Sequence, residues 1–211
     1  MTVRQGASGG GLVMHPADGA TWVFDPGALC LEFLLTGGPG LLARYEQLHR
    51  PADLAGWLAL SRLRLPADQV ITSGDDLDDA RILRDTLWRL ARCWAGSARE
   101  DAQDAGDLAV LNRLAARPDL APRIALGPVP DGWVLPARAS QALSSIARDA
   151  ISLRAGPFAG RVRECGAEDC YLIFVDSSRP GLRRWCSMQR CGNRQKVRTH
   201  RARRPLDPTL G

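Results

Sequence analysis

No apolar run in the chain approaches the ~18 residues that a membrane-spanning helix needs, so no span is expected. The first residues, Met1 to Gly11, are polar and Gly-rich and lack the apolar core of a secretory signal. An intracellular protein is the expectation, with cysteines as thiols or metal ligands rather than disulfides. There is no Gly-x4-Gly-Lys-Ser/Thr phosphate loop, no dinucleotide fingerprint and no nucleophile elbow. Histidine is scarce: His15 falls in the leader, His49 at a helix end and His200 in the tail. No His–carboxylate–nucleophile set suggests itself, and no enzyme is expected. Lysine is scarcer still, because Lys196 is the only one among 28 basic residues. A genome whose base composition favours Arg codons accounts for that preference.

What is present is an ordinary globular balance over 211 residues, 45% hydrophobic and 24% charged. That length allows a medium domain plus a small one. The net charge of +5 is unevenly placed. Residues 161–204 hold twelve Lys/Arg against four acids, whereas residues 1–160 hold sixteen Arg against eighteen acids. A near-neutral body with a strongly basic end points to a polyanion contact at that end.

Along the body, Thr21 to Phe24 reads as a short strand closed by Asp25-Pro26-Gly27. Ala28 to Leu35 reads as helical, with Cys30 in the core, and Gly37-Gly38-Pro39-Gly40 breaks the chain. Asp53 is placed as the cap of a helix running to about Leu63. The clearest helix is Asp75 to Trp94. Acids crowd its first turn, where the helix dipole favours them. Leu77, Ala80, Leu83, Leu87, Leu90, Ala91 and Trp94 form one stripe. A further helix is expected from Asp107 to Ala116, two short strands at Arg123–Leu126 and Trp133–Leu135, and a helix from Ala139 to Leu153.

Six cysteines occur. Cys30 and Cys93 lie alone in apolar stretches and read as core residues. The other four, Cys165, Cys170, Cys186 and Cys191, are spaced Cys-x4-Cys-x15-Cys-x4-Cys. Each pair brackets a tight turn that can aim two sulfurs at one ion, which is the pattern of a tetrahedral thiolate site for Zn²⁺. The regularity of the pairs favours zinc over an iron–sulfur cluster. A closed four-thiolate site has no open coordination position and argues against metal catalysis. In the spacer, Tyr171 to Asp176 is β-favouring and Pro180-Gly181 suggests a type II turn, so strand, turn and return are expected. A module of some forty residues with few apolar side chains needs metal binding, worth on the order of 10 kcal/mol in comparable peptides, to fold.

After Asn193, read as an N-cap, the sequence is Arg-rich up to Arg204. A helix there places Arg194, Arg198 and Arg201 on one face, with Lys196 and His200 beside them. Val197 is the only sizeable apolar residue, so burial cannot hold such a helix in place. Arg183 and Arg184 add charge next to Trp185, an aromatic suited to base stacking or, the preferred reading, to packing over the zinc knuckle. His200 reads as a phosphate contact rather than a fifth ligand.

Asp176-Ser177-Ser178-Arg179, Arg183-Arg184-Trp185-Cys186-Ser187-Met188, Cys191-Gly192-Asn193-Arg194 and His200-Arg201 together resemble the CGNR zinc finger, over about Arg163 to Arg203. Phe24 to Phe33 and Pro51 to Leu58 are similar, more loosely, to the opening of the ABATE domain that precedes that finger. The pattern there continues Val-Asn-Thr; here Leu34-Leu35-Thr36 stands and the Asn is missing. The resemblance implies a bacterial, stress-linked transcription regulator that binds DNA.

The expected architecture is α+β. It comprises a disordered leader (1–19), a mostly helical ABATE-like domain with short strands (20–157), a two-knuckle zinc module with a basic helix (158–204) and a tail (205–211). One structural Zn²⁺ is expected on Cys165, Cys170, Cys186 and Cys191. Arg183, Arg184, Arg194, Lys196, Arg198, His200 and Arg201 are the candidate DNA contacts. The chain is expected in the bacterial cytoplasm, at the nucleoid if it binds DNA, and as a dimer through residues 20–155. An acidic protein partner or RNA are the alternative ligands of the basic end.

Overall fold

The structure is a computed structural model that describes residues 2–5, 11–15, 21–98, 104–126 and 132–203. The expected tail at 205–211 lies outside the described residues. No helix among those described is long and apolar enough to cross a membrane.

The fold is α+β. Its body is built from α1 (Leu29–Phe33), α2 (Pro51–Leu60), α3 (Gly74–Trp94), α4 (Ala105–Ala115) and α5 (Ala139–Ala155). The apolar stripe of α3 is buried as its spacing requires, from Leu77 through Ala80, Leu83, Leu87 and Leu90 to Ala91. It packs with Ala142, Leu143, Ile146, Ala147 and Ala150 of α5, with Leu111 and Leu114 of α4, and with Phe33 and Trp57, whose rings sit 4.8 Å apart. Cys30 lies fully inside this core, as expected.

Helix starts follow their capping chemistry. Ser73 caps α3, accepting from the Asp76 N–H at 3.1 Å while Asp76 Oδ2 accepts from the Ser73 N–H at 2.9 Å. Asp53 is not the cap of α2 but its third residue, from which Oδ2 reaches back to the Arg50 and His49 N–H groups. Pro51 occupies the first turn, where its missing N–H costs nothing. Ala28 to Leu35 splits into α1 and a 3₁₀ turn at Leu34–Thr36, ending at Gly37 with φ 135°. The two expected strands pair antiparallel as β5 (Pro122–Arg123) and β6 (Gly132–Trp133), shorter than foreseen, and residues 127–131 between them lie outside the described residues. Short β4 (Val70–Ile71) pairs parallel with β7 (Ala137–Arg138).

The largest correction falls on the leader. Residues 2–5 and 12–15 are strands, β1 (Thr2–Gln5) and β2 (Leu12–His15), forming an antiparallel sheet with β3 (Trp22–Phe24). Leu12 and Met14 of β2 and Trp22 and Phe24 of β3 point to one face and are buried, while Val23 between them is exposed. The Gly-rich, polar opening concealed two four-residue strands whose alternation is too short to stand out.

That buried face meets the C-terminal module. The module's hairpin pairs β8 (Val162–Glu164) with β9 (Ile173–Val175). The return strand expected after Pro180-Gly181 does not form; β9 instead takes its partner from the residues before the first cysteine. Val162, Ile173 and Val175 join the helical core, while Phe174 faces the other way, into a second cluster with Leu12, Met14, Trp22 and Phe24. The Val175 N–H donates to the Pro26 carbonyl at 2.9 Å, and Arg92 of α3 pairs with Glu164 at 3.2 Å. The module is thus packed onto the body through both faces of its hairpin.

Candidate zinc centre and nucleic-acid surface

The two knuckles come from turns after β8 and before the terminal helix. Cys165, Cys170, Cys186 and Cys191 converge, with all four Sγ atoms within 4.8 Å of one another. The Cys170–Cys186 and Cys186–Cys191 sulfurs are 3.8 and 3.4 Å apart. A tetrahedron with Zn–S bonds of about 2.3 Å has S···S edges of about 3.8 Å. The donor set fits one Zn²⁺, and Cys30 and Cys93 are outside it.

Without a cation the four thiols compete for protons. Hydrogen bonds from the Cys165, Cys170 and Cys186 thiols hold Cys191 well below the usual thiol range, and Arg194 assists. Cys165 is also lowered, chiefly by the Cys170 thiol. Cys170 and Cys186 are pushed up, in each case first by hydrogen bonding to Cys165. Four thiolates cannot coexist there without a positive ion, so metal uptake displaces the remaining protons.

Donors around the sulfurs are already in place. The Cys186 N–H donates to Cys165 Sγ at 3.4 Å, and Arg194 Nη2 donates to Cys191 Sγ at 3.2 Å. Trp185 lies over the knuckles as preferred on sequence grounds. A Cβ at Gly166 would stand 3.3 Å from its Cζ3, and one at Gly192 would stand 3.3 Å from its Cδ1 and 2.9 Å from Met188 Sδ. The glycine after Cys165 and the one after Cys191 therefore admit the indole between them.

Asp176 organises the loop from β9 to the second knuckle. Its buried carboxylate accepts from Ser178 N–H and Oγ at 3.0 and 2.6 Å and from the Arg183 N–H at 2.9 Å. The turn closes from Gly181 N–H to Ser178 O at 3.1 Å, one residue earlier than the expected type II arrangement, and Gly181 takes φ 67°. Asn193 is not an N-cap. It has helical φ and ψ and follows a π-helical turn at Met188–Gly192, so the chain runs from the last cysteine directly into α6 (Asn193–Arg203).

The predicted nucleic-acid residues divide into two groups. Arg183 and Arg194 are built into the module. Arg183 stacks 4.1 Å over the Phe174 ring and donates to the Trp185 and Cys186 carbonyls. Arg194 forms a fork on Asp169, at 3.0 and 3.2 Å, that ties α6 to the first knuckle. Arg184, Lys196 and Arg198 are exposed. Arg184 lies 5.2 Å over Trp185, and Arg198 reaches Glu168 and Asp169 only at 3.6 and 3.7 Å. His200 and Arg201 belong to α6, but their side chains lie outside the described residues. Sequence reasoning missed Arg190, which sits 4.1 Å over the Trp22 ring and joins the finger to the N-terminal sheet. Nothing in the local sequence couples those two positions.

The helical body and the finger each match a known family. Residues 27–157 match ABATE, described as "Putative stress-induced transcription regulator". The chain belongs to the ABATE family. Residues 161–204 match the CGNR zinc finger, so this ABATE protein carries that finger directly after its family domain. No curated protein matches the chain. In Leu34-Leu35-Thr36, where the family pattern has Val-Asn-Thr, Leu35 is buried with Met14 and Phe24. Thr36 Oγ1 donates to the Phe33 carbonyl at 2.8 Å.

Proposed function

We propose that this ABATE protein is a DNA-binding transcription regulator, not an enzyme, acting at the nucleoid of the bacterial cytoplasm. The observation that carries this reading is α6. It has five Lys/Arg and no acid in eleven residues, it is anchored at its first turn by Arg194, and its one large apolar residue, Val197, is 50% exposed. A helix with no buried residue among those whose side chains are described, Asn193 to Thr199, and one sign of charge is suited to lie along phosphates. Its family supports regulation. Arg184, Lys196 and Arg198, with His200 and Arg201, are the proposed DNA contacts, and Arg183 and Arg194 hold the scaffold that presents them. One finger makes few contacts, so a dimer through residues 20–155 strengthens the grip; sedimentation showing monomer alone, with and without DNA, would exclude it.

The test is fluorescence anisotropy of the zinc-loaded chain on duplex DNA across a salt series. Each phosphate contact contributes about 0.9 to the log–log salt slope. Lys196→Ala with Arg198→Ala is expected to flatten the slope by about 1.8. Tighter binding to single-stranded RNA, or no salt-dependent nucleic-acid binding at all, would overturn the reading, the latter in favour of an acidic protein partner.

A further inference from the structure

Leu182 stands in the loop between β9 and the second knuckle, directly after the Pro180-Gly181 turn, and is 75% exposed. A single exposed leucine is ordinary on a protein surface. This one is held in place by hydrogen bonds on both flanks. Before it, Arg161 Nη1 donates to the Ser178 carbonyl at 2.7 Å and to the Asp176 carbonyl at 3.3 Å, and the Gly181 N–H closes the turn on Ser178. After it, the Arg183 N–H is fixed on the buried Asp176 carboxylate at 2.9 Å, and the Arg183 side chain is pinned over Phe174. Backbone order on both sides of a solvent-facing apolar side chain lowers the entropy that a contact there loses on binding.

Leu182 shares an open groove of about 590 Å³ with Pro180, Arg184, Trp185 and Met188. Met188 is 54% exposed, and Pro180, Arg184 and the neighbouring Arg179 are exposed as well. None of the lining residues among those described is acidic, and the carboxylate of the loop, Asp176, is fully buried. An apolar edge set among arginines matches a surface that is anionic outside and apolar within, which is a nucleic-acid duplex with phosphates flanking stacked bases. Size then selects the groove. A helix about 10–12 Å across, such as α6, needs the major groove of about 12 Å, whereas a loop tip of one side chain fits the minor groove of about 6 Å. Apolar side chains inserted there part adjacent base pairs and kink the duplex, most readily at TA steps. On the DNA-binding reading given above, we infer that Leu182 is a minor-groove wedge that unstacks and bends the DNA. Arg179 and Arg184 meet the flanking phosphates, and Met188 lies against the opened step.

The test uses the zinc-loaded full chain and an alternating AT duplex, in which every second step is TA. Energy transfer between dyes at the duplex ends reads the bend, and 2-aminopurine in place of adenine reads unstacking. At saturation the wild-type chain is expected to bend the duplex by at least about 20° and to raise 2-aminopurine fluorescence. The bend should disappear when netropsin fills the minor groove. Leu182→Ala should keep one zinc per chain, the helical circular dichroism and the wild-type salt slope, since leucine neutralises no phosphate, yet lose both the bend and the fluorescence rise. Leu182→Met should keep both signals, because methionine also serves as a wedge. Salt-dependent binding without a bend, a bend that netropsin leaves in place, or a bend unchanged in folded Leu182→Ala would each overturn the inference while the DNA-binding reading stands. No salt-dependent binding to any duplex would overturn both.

Discussion

Replacing Arg194 by Ala should weaken zinc binding, whereas replacing Lys196 by Ala should weaken only DNA binding, although the two residues stand two apart on one basic helix. Arg194 makes two hydrogen bonds to Asp169 and one to the Cys191 sulfur at 3.2 Å. The ion pair is about as exposed as many surface pairs, 36% and 47% for its two side chains, and pairs of that kind contribute about 0–1 kcal/mol. The sulfur contact matters more. Losing a partner that orients and charge-balances a metal ligand costs about 10- to 100-fold in metal affinity, or about 1.4–2.8 kcal/mol. Zinc affinity of Arg194→Ala, measured by competition with a chromogenic chelator, should fall within that range. Arg194→Lys should recover part of it, since it restores the charge but not the planar fork. Lys196 is exposed and carries no such contact. Lys196→Ala should keep wild-type zinc affinity and lose about 0.9 from the DNA salt slope. The assignment is refuted if Arg194→Ala holds zinc within twofold of wild type and loses a slope unit as Lys196→Ala does.

Met14 is fully buried on β2 beside Cys165, Cys186 and Cys191. Met14→Ala should therefore destabilise the chain by about 2–4 kcal/mol, seen in chemical denaturation, and should accelerate zinc loss; a change confined to the helical body would contradict the shared core. Cys170→Ser should reduce bound zinc to well below one per chain, while Cys30→Ala and Cys93→Ala each retain one zinc by elemental analysis. Glu46 supplies a pH test in the body. Burial pushes its carboxyl up, but the Arg84 guanidinium and the N–H groups of Leu48 and Gln47 outweigh that and leave it below the ordinary range. A lowered carboxyl contributes stability that is present above its unfolded pKa of about 4.3 and is lost as pH falls through the folded value. Glu46→Gln should thus lower Tm at pH 6–7, and the gap to wild type should close below pH 4; a gap independent of pH would refute the linkage.

The parts of this molecule that were legible in its sequence are those encoded by spacing. Four cysteines in two like pairs determine a ligand set whatever surrounds them, and the α3 stripe at 3.6-residue period can bury only one way. Position relative to a distant segment was not legible. The β2 strand has four residues in a Gly-rich opening, and only the later pairing of Leu12 with Phe24 reveals that it belongs to a sheet. A run such as Leu12-Val13-Met14, a turn-rich stretch and then Trp22-Val23-Phe24 is a hairpin signal that the polar flanks obscured. The partner of β9 was misassigned because Pro180-Gly181 advertises a hairpin, whereas Asp176 spends that turn on ordering the approach to Cys186. Arg183 and Arg194 read as free charge because one sequence cannot display the carbonyls, carboxylate and sulfur that their guanidinium groups meet.

The sheet changes what holds the finger together. Taken alone, residues 158–204 have too little apolar surface for a core, and the metal would have to supply nearly all of the folding energy. In the whole chain Leu12, Met14, Trp22 and Phe24 complete a core around Phe174 and the cysteines. The opposite side of the same hairpin, Val162, Ile173 and Val175, is buried in the helical body. Alternate side chains of three-residue β9 thus belong to two different cores, so the finger cannot shift relative to the body without exposing one of them. A rigid seam of this kind fixes where α6 leaves the protein. Redirecting the basic residues must then break the bridge that Arg194 makes to Asp169 and Cys191 at the first turn of α6, or expose one of the two cores at the boundary between the body and the finger.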